Sequence, residues 1–331
     1  MAHRIEKRDK QQGRHMAWHN LTEIVNDLDL DNNCLRKEWD IEEVPLMTPD
    51  GVEVPFKILV GSDDKEVIGK PFANTYKPIT NAKFLDMIKE ATTGIKGLIV
   101  ESVGSVCNRG RVFVSLNLKD SSSYKIGHRQ FKDFLNFGNG HDQSSVLWVN
   151  NTNTCTVCNN TFSYNLMSKN TPVDVRVFHR GDVEFKLTNI AEIIDAHIGS
   201  QAFFKAEFER LMEQDISTDN ARNLFAGWSI RNDENKELSN RGLTKVNRLT
   251  ELFSTGAGNL GKNRADAFSA VTDYYTHEST RGGGANIGNQ FVSSEFGLGR
   301  AAKDNFWDVI RDDNEVNDYI GIGKKALATI N

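Results

Sequence analysis

Hydrophobic periodicity is mainly strand-like in the first half of this chain and helical in the second, and that change narrows the folds open to it. Up to about residue 177, apolar and polar residues alternate in short runs bounded by Gly, Pro, Asn and Asp, which is how strands and turns are written. From residue 187 onward apolar residues recur every three or four positions, the spacing of one helix face. Strands are expected at Ile41–Met47, Val52–Val60, Glu66–Phe72, Leu98–Val106, Arg111–Lys119, Gln130–Phe137, Ser145–Asn150, Asn153–Cys158 and Val173–Val177. Thr48-Pro49-Asp50-Gly51 is a turn with a mechanism, because Pro fixes φ and Gly accepts φ > 0. One helix interrupts the strands, capped by Asn81, with Phe84, Leu85, Ile88 and Ala91 on one face and Gly94 at its end. Leu187, Ile190, Ala191, Ile194 and Ile198 keep helical spacing, Phe204, Phe208, Leu211 and Met212 continue it, and later helices are expected over 239–253, 263–277 and 301–311. Strands first and helices last predict an α+β fold: an antiparallel sheet core with helices packed on one face, then a helical C-terminal region. The divisions read as a basic arm over 1–20, an α+β core over 21–200 and a helical region over 201–331, which holds a glycine-rich loop at 281–299. The arm, with Arg4, Lys7, Arg8, Lys10 and Arg14, reads as mobile.

Composition removes several classes. The 331 residues contain no apolar stretch of the ~18 residues that a membrane span needs, so no membrane partner is expected. Met1 to Arg14 is hydrophilic and lacks the apolar segment of a signal peptide. Four cysteines make no disulfide framework, and a reduced cytosol is the simplest compartment. A net charge of -5 argues against nucleic-acid binding over the whole surface, but leaves room for a local basic face. The 32 asparagines suit turns and caps.

The chemical motifs are weak. Gly256-Ala257-Gly258-Asn259-Leu260-Gly261-Lys262 matches G-x-G-x-x-G and nearly matches a phosphate-binding loop, but both require a preceding buried strand. An amphipathic helix precedes it here, and Asn263 replaces the magnesium-holding Ser/Thr, so it reads as a helix–helix loop. Cys155-Thr156-Val157-Cys158 lacks the further ligands a structural zinc needs. His19, His141 and His179 stand singly. No catalytic residue, metal site or cofactor is expected.

The strongest physical signal lies on one strand. Arg111, Phe113, Ser115, Asn117 and Lys119 alternate with Val112, Val114, Leu116 and Leu118. One face is aliphatic; the other is cationic and holds one ring. A ring exposed between cations can stack an unpaired base. From Ser105 to Lys132 the cations Arg109, Arg111, Lys119, Lys125, Arg129 and Lys132 face Asp120 alone, a local charge of about +5, with Tyr124 and Phe131 interleaved. Arg241, Lys245 and Arg248 make a second stripe at helical spacing. Solvated strand and helix faces account for the same patterns, so a nucleic-acid surface and a plain solvated surface both remain open.

Several segments match a known family in order. Met16-Ala17-Trp18-His19-Asn20-Leu21 resembles the W-H-x-L opening of the phage/plasmid-like protein family, a domain-of-unknown-function family of bacteriophages, plasmids and prophages. Gly69-Lys70 through Tyr76-Lys77-Pro78-Ile79-Thr80-Asn81 resembles its G-x-x-Y-x-P-x-x-N. His141-Asp142-Gln143-Ser144-Ser145 resembles its H-D-G-S, with Gln143 in place of Gly. Thr156-Val157-Cys158-Asn159-Asn160-Thr161 resembles its R-V-V-C-x-N-T without the Arg. His179 and Ala265 to His277 resemble later stations. The resemblance implies a mobile-element role in replication, recombination or conflict with a host, and the cytosol of a bacterial host as its compartment. The strand-rich core followed by helix is also similar to the core of phage single-strand annealing proteins, which implies self-association as a homo-oligomer.

Together these readings give the expected function: a non-enzymatic protein that binds single-stranded DNA through the basic sheet face, with Phe113 and Tyr124 stacking bases. The alternative is a protein-interaction module that targets a host protein, for which the acidic stretch Asp304 to Asp318 is suited.

Overall fold

Alternation in the first half and helical spacing in the second are both realised. The computed structural model describes residues 5–17, 20–118, 123–143, 147–155, 160–162, 175–177, 190–230, 237–279, 290, 293–294 and 297–330. The strands are β1 (Gln11–Gly13), β2 (Glu23–Ile24), β3 (Ile41–Met47), β4 (Glu53–Gly61), β5 (Val67–Ala73), β6 (Leu98–Val106), β7 (Arg111–Leu118), β8 (Ser123–Ile126), β9 (Arg129–Gly140), β10 (Leu147–Cys155), β11 (Asn160–Phe162) and β12 (Val175–Val177). The helices are α1 (Cys34–Lys37), α2 (Asn81–Ala91), α3 (Ile190–Glu213), α4 (Thr218–Ile230), α5 (Asn240–Thr255), α6 (Arg264–Asp273), α7 (Leu298–Arg311) and α8 (Asp313–Ala328); a π-helical turn (Tyr274–Glu278) follows α6. The fold is α+β.

A nine-stranded sheet runs β11-β10-β9-β7-β6-β1-β2, with β12 also on β10 and β8 also on β9; β3-β4-β5 form a separate sheet. Pairing is antiparallel except for β1 with β2, which is parallel. Val112, Val114 and Leu116 of β7, with Leu135 and Phe137 of β9, pack against Phe84, Leu85 and Ile88 of α2 in one core. The helices build a second core around Phe204, Phe208, Phe225, Phe268, Phe306 and Trp307.

Strand β9 joins the two cores. Its C-terminal half pairs with β7 and its N-terminal half with β8. Alternation turns Arg129, Phe131, Asp133, Leu135 and Phe137 inward. Phe131 packs on Phe204 and Phe208 at centroid distances of 5.6 and 5.0 Å. Thus the hairpin tip belongs to the helical core and the strand's far end to the sheet core.

Several boundaries differ from the periodicity. The two strands expected over 145–158 are one strand, β10, among the described residues, while the helical spacing from Leu187 to Met212 is realised as one helix, α3. α4 was not legible because Asn, Thr and Gly lower its propensity, while tertiary packing buries most of its surface. α8 begins inside the acidic stretch, where Asp312 accepts the backbone N–H groups of Asn314 and Glu315 at 2.8 and 3.2 Å, an N-cap favoured by the helix dipole. α4 and α8 cross backbone to backbone. A Cβ on Gly227 would collide with the Tyr319 carbonyl, and one on Gly323 with the Asn223 carbonyl.

The N-terminal segment is anchored where a mobile arm was expected. Arg14 donates to the carbonyls of Val100, Asn26 and Leu28 at 2.9, 2.7 and 2.7 Å. Arg8 grips Asp64 at 2.8 and 2.9 Å, and Lys10 pairs with Glu38. Arg8, Lys10 and Arg14 therefore satisfy acceptors within the chain. No helix of the described residues is long and apolar enough to cross a membrane.

Candidate functional site

Strand β7 alternates as expected, but its second face is not an open ladder. Phe113 is 6% exposed, packed with Val106 under Ile5 and Cys107. The ring was expected to face solvent; it is buried instead, and Ile5 of the N-terminal segment is among the residues packed against it and Val106. Arg111 lies 3.9 Å from Asp142. Ser115 meets Asn136 at 2.5 Å, and Asn117 reaches Glu101 at 3.4 Å. Lys119 lies outside the described residues.

Four of the other predicted cations also have structural partners. Arg109 is 5% exposed; it forks onto Asp63 at 2.7 and 3.0 Å and stacks 4.6 Å above Trp39. Hydrogen bonding from Arg109 holds the Asp63 carboxyl below its usual range. Arg129 is 1% exposed and pairs with Asp266 at 2.5 Å. Arg248 pairs with Glu278 at 2.5 Å and with Glu251 at 2.6 Å. Lys245 lies 4.3 Å over Trp228 and donates to Tyr275 at 2.8 Å. Of that helical stripe Arg241 alone is exposed. Tyr124 stacks on Phe131 at 5.7 Å and donates to Asp133 at 3.0 Å, so it faces the core. The interleaving of rings and cations over 124–132 is strand alternation: Tyr124 and Phe131 go in, Lys125 and Lys132 go out.

What remains accessible lies one strand further over. Lys132, Phe134 and Asn136 follow one another on the second face of β9, all half-buried. Exposed Lys125 sits beside them, its register partner being exposed Gln130. Gly138 continues the row and stands opposite both Phe113 and Trp148. The Trp148 indole lies across Gly138 where a side chain would otherwise stand. Phe134 and Trp148 escaped the sequence reading, although the alternation of Phe131, Leu135 and Phe137 with Lys132, Phe134 and Asn136 carries the signal.

A buried polar cluster lies at the other end of the sheet. His141 and Asn81 are fully buried, and His141 Nε2 stands 2.9 Å from Asn81 Oδ1. The Asn81 amide donates to the Trp39 carbonyl at 3.0 Å, which leaves its oxygen to accept from histidine. Tyr76 donates to the Gly140 carbonyl at 3.1 Å, and Asn139 to the Ile79 carbonyl at 3.0 Å. The segments Tyr76–Asn81 and Gly140–Gln143, separate in sequence, therefore interlock. The α2 cap is Thr80, accepting from Lys83 at 3.1 Å, not Asn81. Asp40 reinforces it by accepting the N–H groups of Asn81 and Ala82 at 2.7 and 3.2 Å.

The neighbouring hairpin loop is strained. Cys107, Asn108 and Arg109 have φ of 63, 55 and 67°, a left-handed run that costs roughly 1–2 kcal/mol per residue. The Asp9 carboxylate compensates by accepting the Asn108 and Arg109 N–H groups at 2.9 and 2.6 Å. Burial pushes the Asp9 carboxyl up, and these bonds oppose the shift.

The glycine loop at 256–262 joins α5 to α6, and it cradles an arginine. Asn259 accepts from Arg129 at 2.8 Å, while Lys262 N–H donates to Asp266 at 2.9 Å. Gly258 and Gly261 supply the positive φ values of 79 and 66°. Among the described residues no three His, Cys, Asp or Glu side chains converge as a metal site. Cys158, Trp18, His19 and His179, and 280–289 of the glycine-rich loop, lie outside the described residues, and the Cys155 side chain is likewise not described.

These features define an α+β chain with a buried polar cluster at one end of its large sheet and a row of half-buried polar and aromatic residues on the second face of β9. The family whose profile matches residues 71–314 is a domain of unknown function, DUF932, and the chain belongs to it. The match takes in both interlocked segments and the whole of β9. No curated protein and no solved structure matches the chain.

Proposed function

We propose that this protein binds single-stranded nucleic acid without a chemical step, in a mobile-element setting, through the second face of β9 and its neighbours. The observation that carries the reading is the row Lys132, Phe134, Asn136 on one face, with Lys125 and Trp148 alongside. Successive members stand about 7 Å apart along the strand, close to the rise of an extended single strand. Lysine neutralises phosphate, rings stack bases, and amides reach the base edges that an unpaired strand leaves open. Among the described residues, Glu101 stands beside Asn117 and Asp142 beside Arg111 at the margins of this face. Duplex DNA hides its base faces and gains nothing from Phe134.

Fluorescence anisotropy with a labelled single-stranded oligonucleotide at several salt concentrations tests this. Binding should weaken with salt by about 0.7 log units per log unit of salt for each phosphate neutralised. Lys132→Glu with Phe134→Ala should lower affinity at least tenfold with an unchanged circular dichroism spectrum. Absence of binding at low salt, or full affinity in the double variant, removes the proposal.

One observation supports the second reading, a protein-interaction module. The three-stranded sheet exposes the apolar side chains of Val44, Met47, Phe56 and Val67, residues of the kind that mark contact sites when they gather on a surface. Met47→Lys with Phe56→Lys should abolish capture of a host protein while leaving oligonucleotide binding intact.

A further inference from the structure

We infer that this face holds three nucleotides at a time: bases n and n+2 stack on Phe134 and Trp148, and Gly138 is the residue that positions the second ring. This rests on the reading above and specifies how the same face holds its ligand. Pairing along β9 is regular on both flanks, from Leu135 to Gly140 against β7 and from Phe131 to Gly138 against β10. Phe134, Asn136 and Gly138 therefore follow one another on one side of the strand. Trp148 is the register partner of Gly138, but its indole does not stay above its own strand. It lies back over Gly138, where a Cβ would overlap Cζ2, Cε2 and Nε1. The two half-buried rings thus stand on the line of β9, over positions 134 and 138.

Four residue steps of extended strand separate those positions, about 13–14 Å. A single strand with its bases unstacked advances about 7 Å per nucleotide, roughly twice the ~3.4 Å of a strand within a duplex. The rings therefore match bases two steps apart and stand too far apart for adjacent ones. The intervening nucleotide lies over Asn136, and Lys132 stands one further step before Phe134, placed for a phosphate. Glycine at 138 is what allows this placement. A side chain there would push the indole off β9 toward its own strand and change the separation of the rings. Phe113 flanks Gly138 from β7 but is buried, so of the two rings beside Gly138 it is Trp148 that stays half-exposed.

The test uses short, labelled abasic sugar–phosphate strands that carry two thymines, either adjacent or with one abasic unit between them, followed by fluorescence anisotropy. The gapped strand should bind about tenfold tighter than the adjacent pair, the effect of a second stacked base. Gly138→Ala should remove that preference, as should Trp148→Ala. With Trp148→Ala in place, Gly138→Ala should change nothing further, because the residue acts through the indole. A merely structural role would shift stability and leave the ratio between the two strands as it was. Equal affinity for the two strands in wild-type protein overturns the inference; if that protein still binds oligothymidylate and loses affinity with Lys132→Glu/Phe134→Ala, the primary reading stands. If wild type binds neither the thymine strands nor oligothymidylate, both fall. Should Gly138→Ala misfold, Trp148→Ala decides: a preference that survives loss of the indole overturns the inference.

Discussion

Asn81 and His141, 60 residues apart, face each other at 2.9 Å in the buried interior, Asn81 Oδ1 to His141 Nε2. The pair ties the first turn of α2 to the end of β9. Asn81 also holds the Trp39 carbonyl, so one amide satisfies two groups that have no access to water.

Asn81→Ala is therefore expected to cost about 2–3 kcal/mol, because it leaves a buried imidazole N–H and a buried carbonyl unsatisfied. Urea denaturation checks the figure. Oligonucleotide affinity of the folded fraction should not change, since the pair lies away from Lys132 and Phe134.

Arg129 and Asp266 join β9 to α6 as a buried ion pair at 2.5 Å. Arg129→Ala leaves Asp266 charged and buried, and should destabilise by about 3–5 kcal/mol. Arg129→Met with Asp266→Leu should recover most of that loss, because no unpaired charge remains. A double-mutant cycle by chemical denaturation separates the two outcomes.

The α4–α8 crossing depends on the absence of side chains. Gly323→Ala places a methyl group against the Asn223 carbonyl, and Gly227→Ala places one against Tyr319. Each should lower stability by about 1–3 kcal/mol through forced separation of the helices. Gly321→Ala on the same helix meets nothing and should be neutral or slightly stabilising. Thermal melts of the three variants give the comparison.

Burial pushes the Asp133 carboxyl up to about 7, against a lowering by the Tyr124 hydroxyl. A raised folded-state value means that the folded chain binds the proton more tightly than the unfolded chain. Stability contributed by this group is full at pH values below the ordinary carboxylate range near 4 and is lost as pH rises to about 7. Asp133→Asn keeps an acceptor for Tyr124 and removes the ionisation. It should raise Tm at pH 8 and change it little at pH 4, as followed by circular dichroism.

Much of the fold can be read from residue pattern, because strand alternation and helical spacing are local. β3, β6 and β7 begin at the expected residues, and the glycine loop joins two helices as its context implies. Elements built from poor formers are less legible. α4 is held by burial on nearly every side, and α8 starts from an Asp cap within an acidic run. The candidate site was half legible. Pattern identified a sheet with one apolar and one polar face, yet placed the accessible ring on β7 at Phe113 when Phe134 and Trp148 are the rings left half-open. Pattern reports which side of a strand a residue takes; it does not report what lies on that side.

By itself, then, the sequence determined the α+β class, the order of strands before helices, and the inward face of each long strand, since these follow from periodicity and turn chemistry within a few residues. Tertiary structure alone decided which charges stay available. Arg109, Arg129 and Arg248 are neutralised by Asp63, Asp266 and Glu278, partners 30 to 137 residues away. Electrostatic pairing depends on distance in space, and no local pattern encodes it.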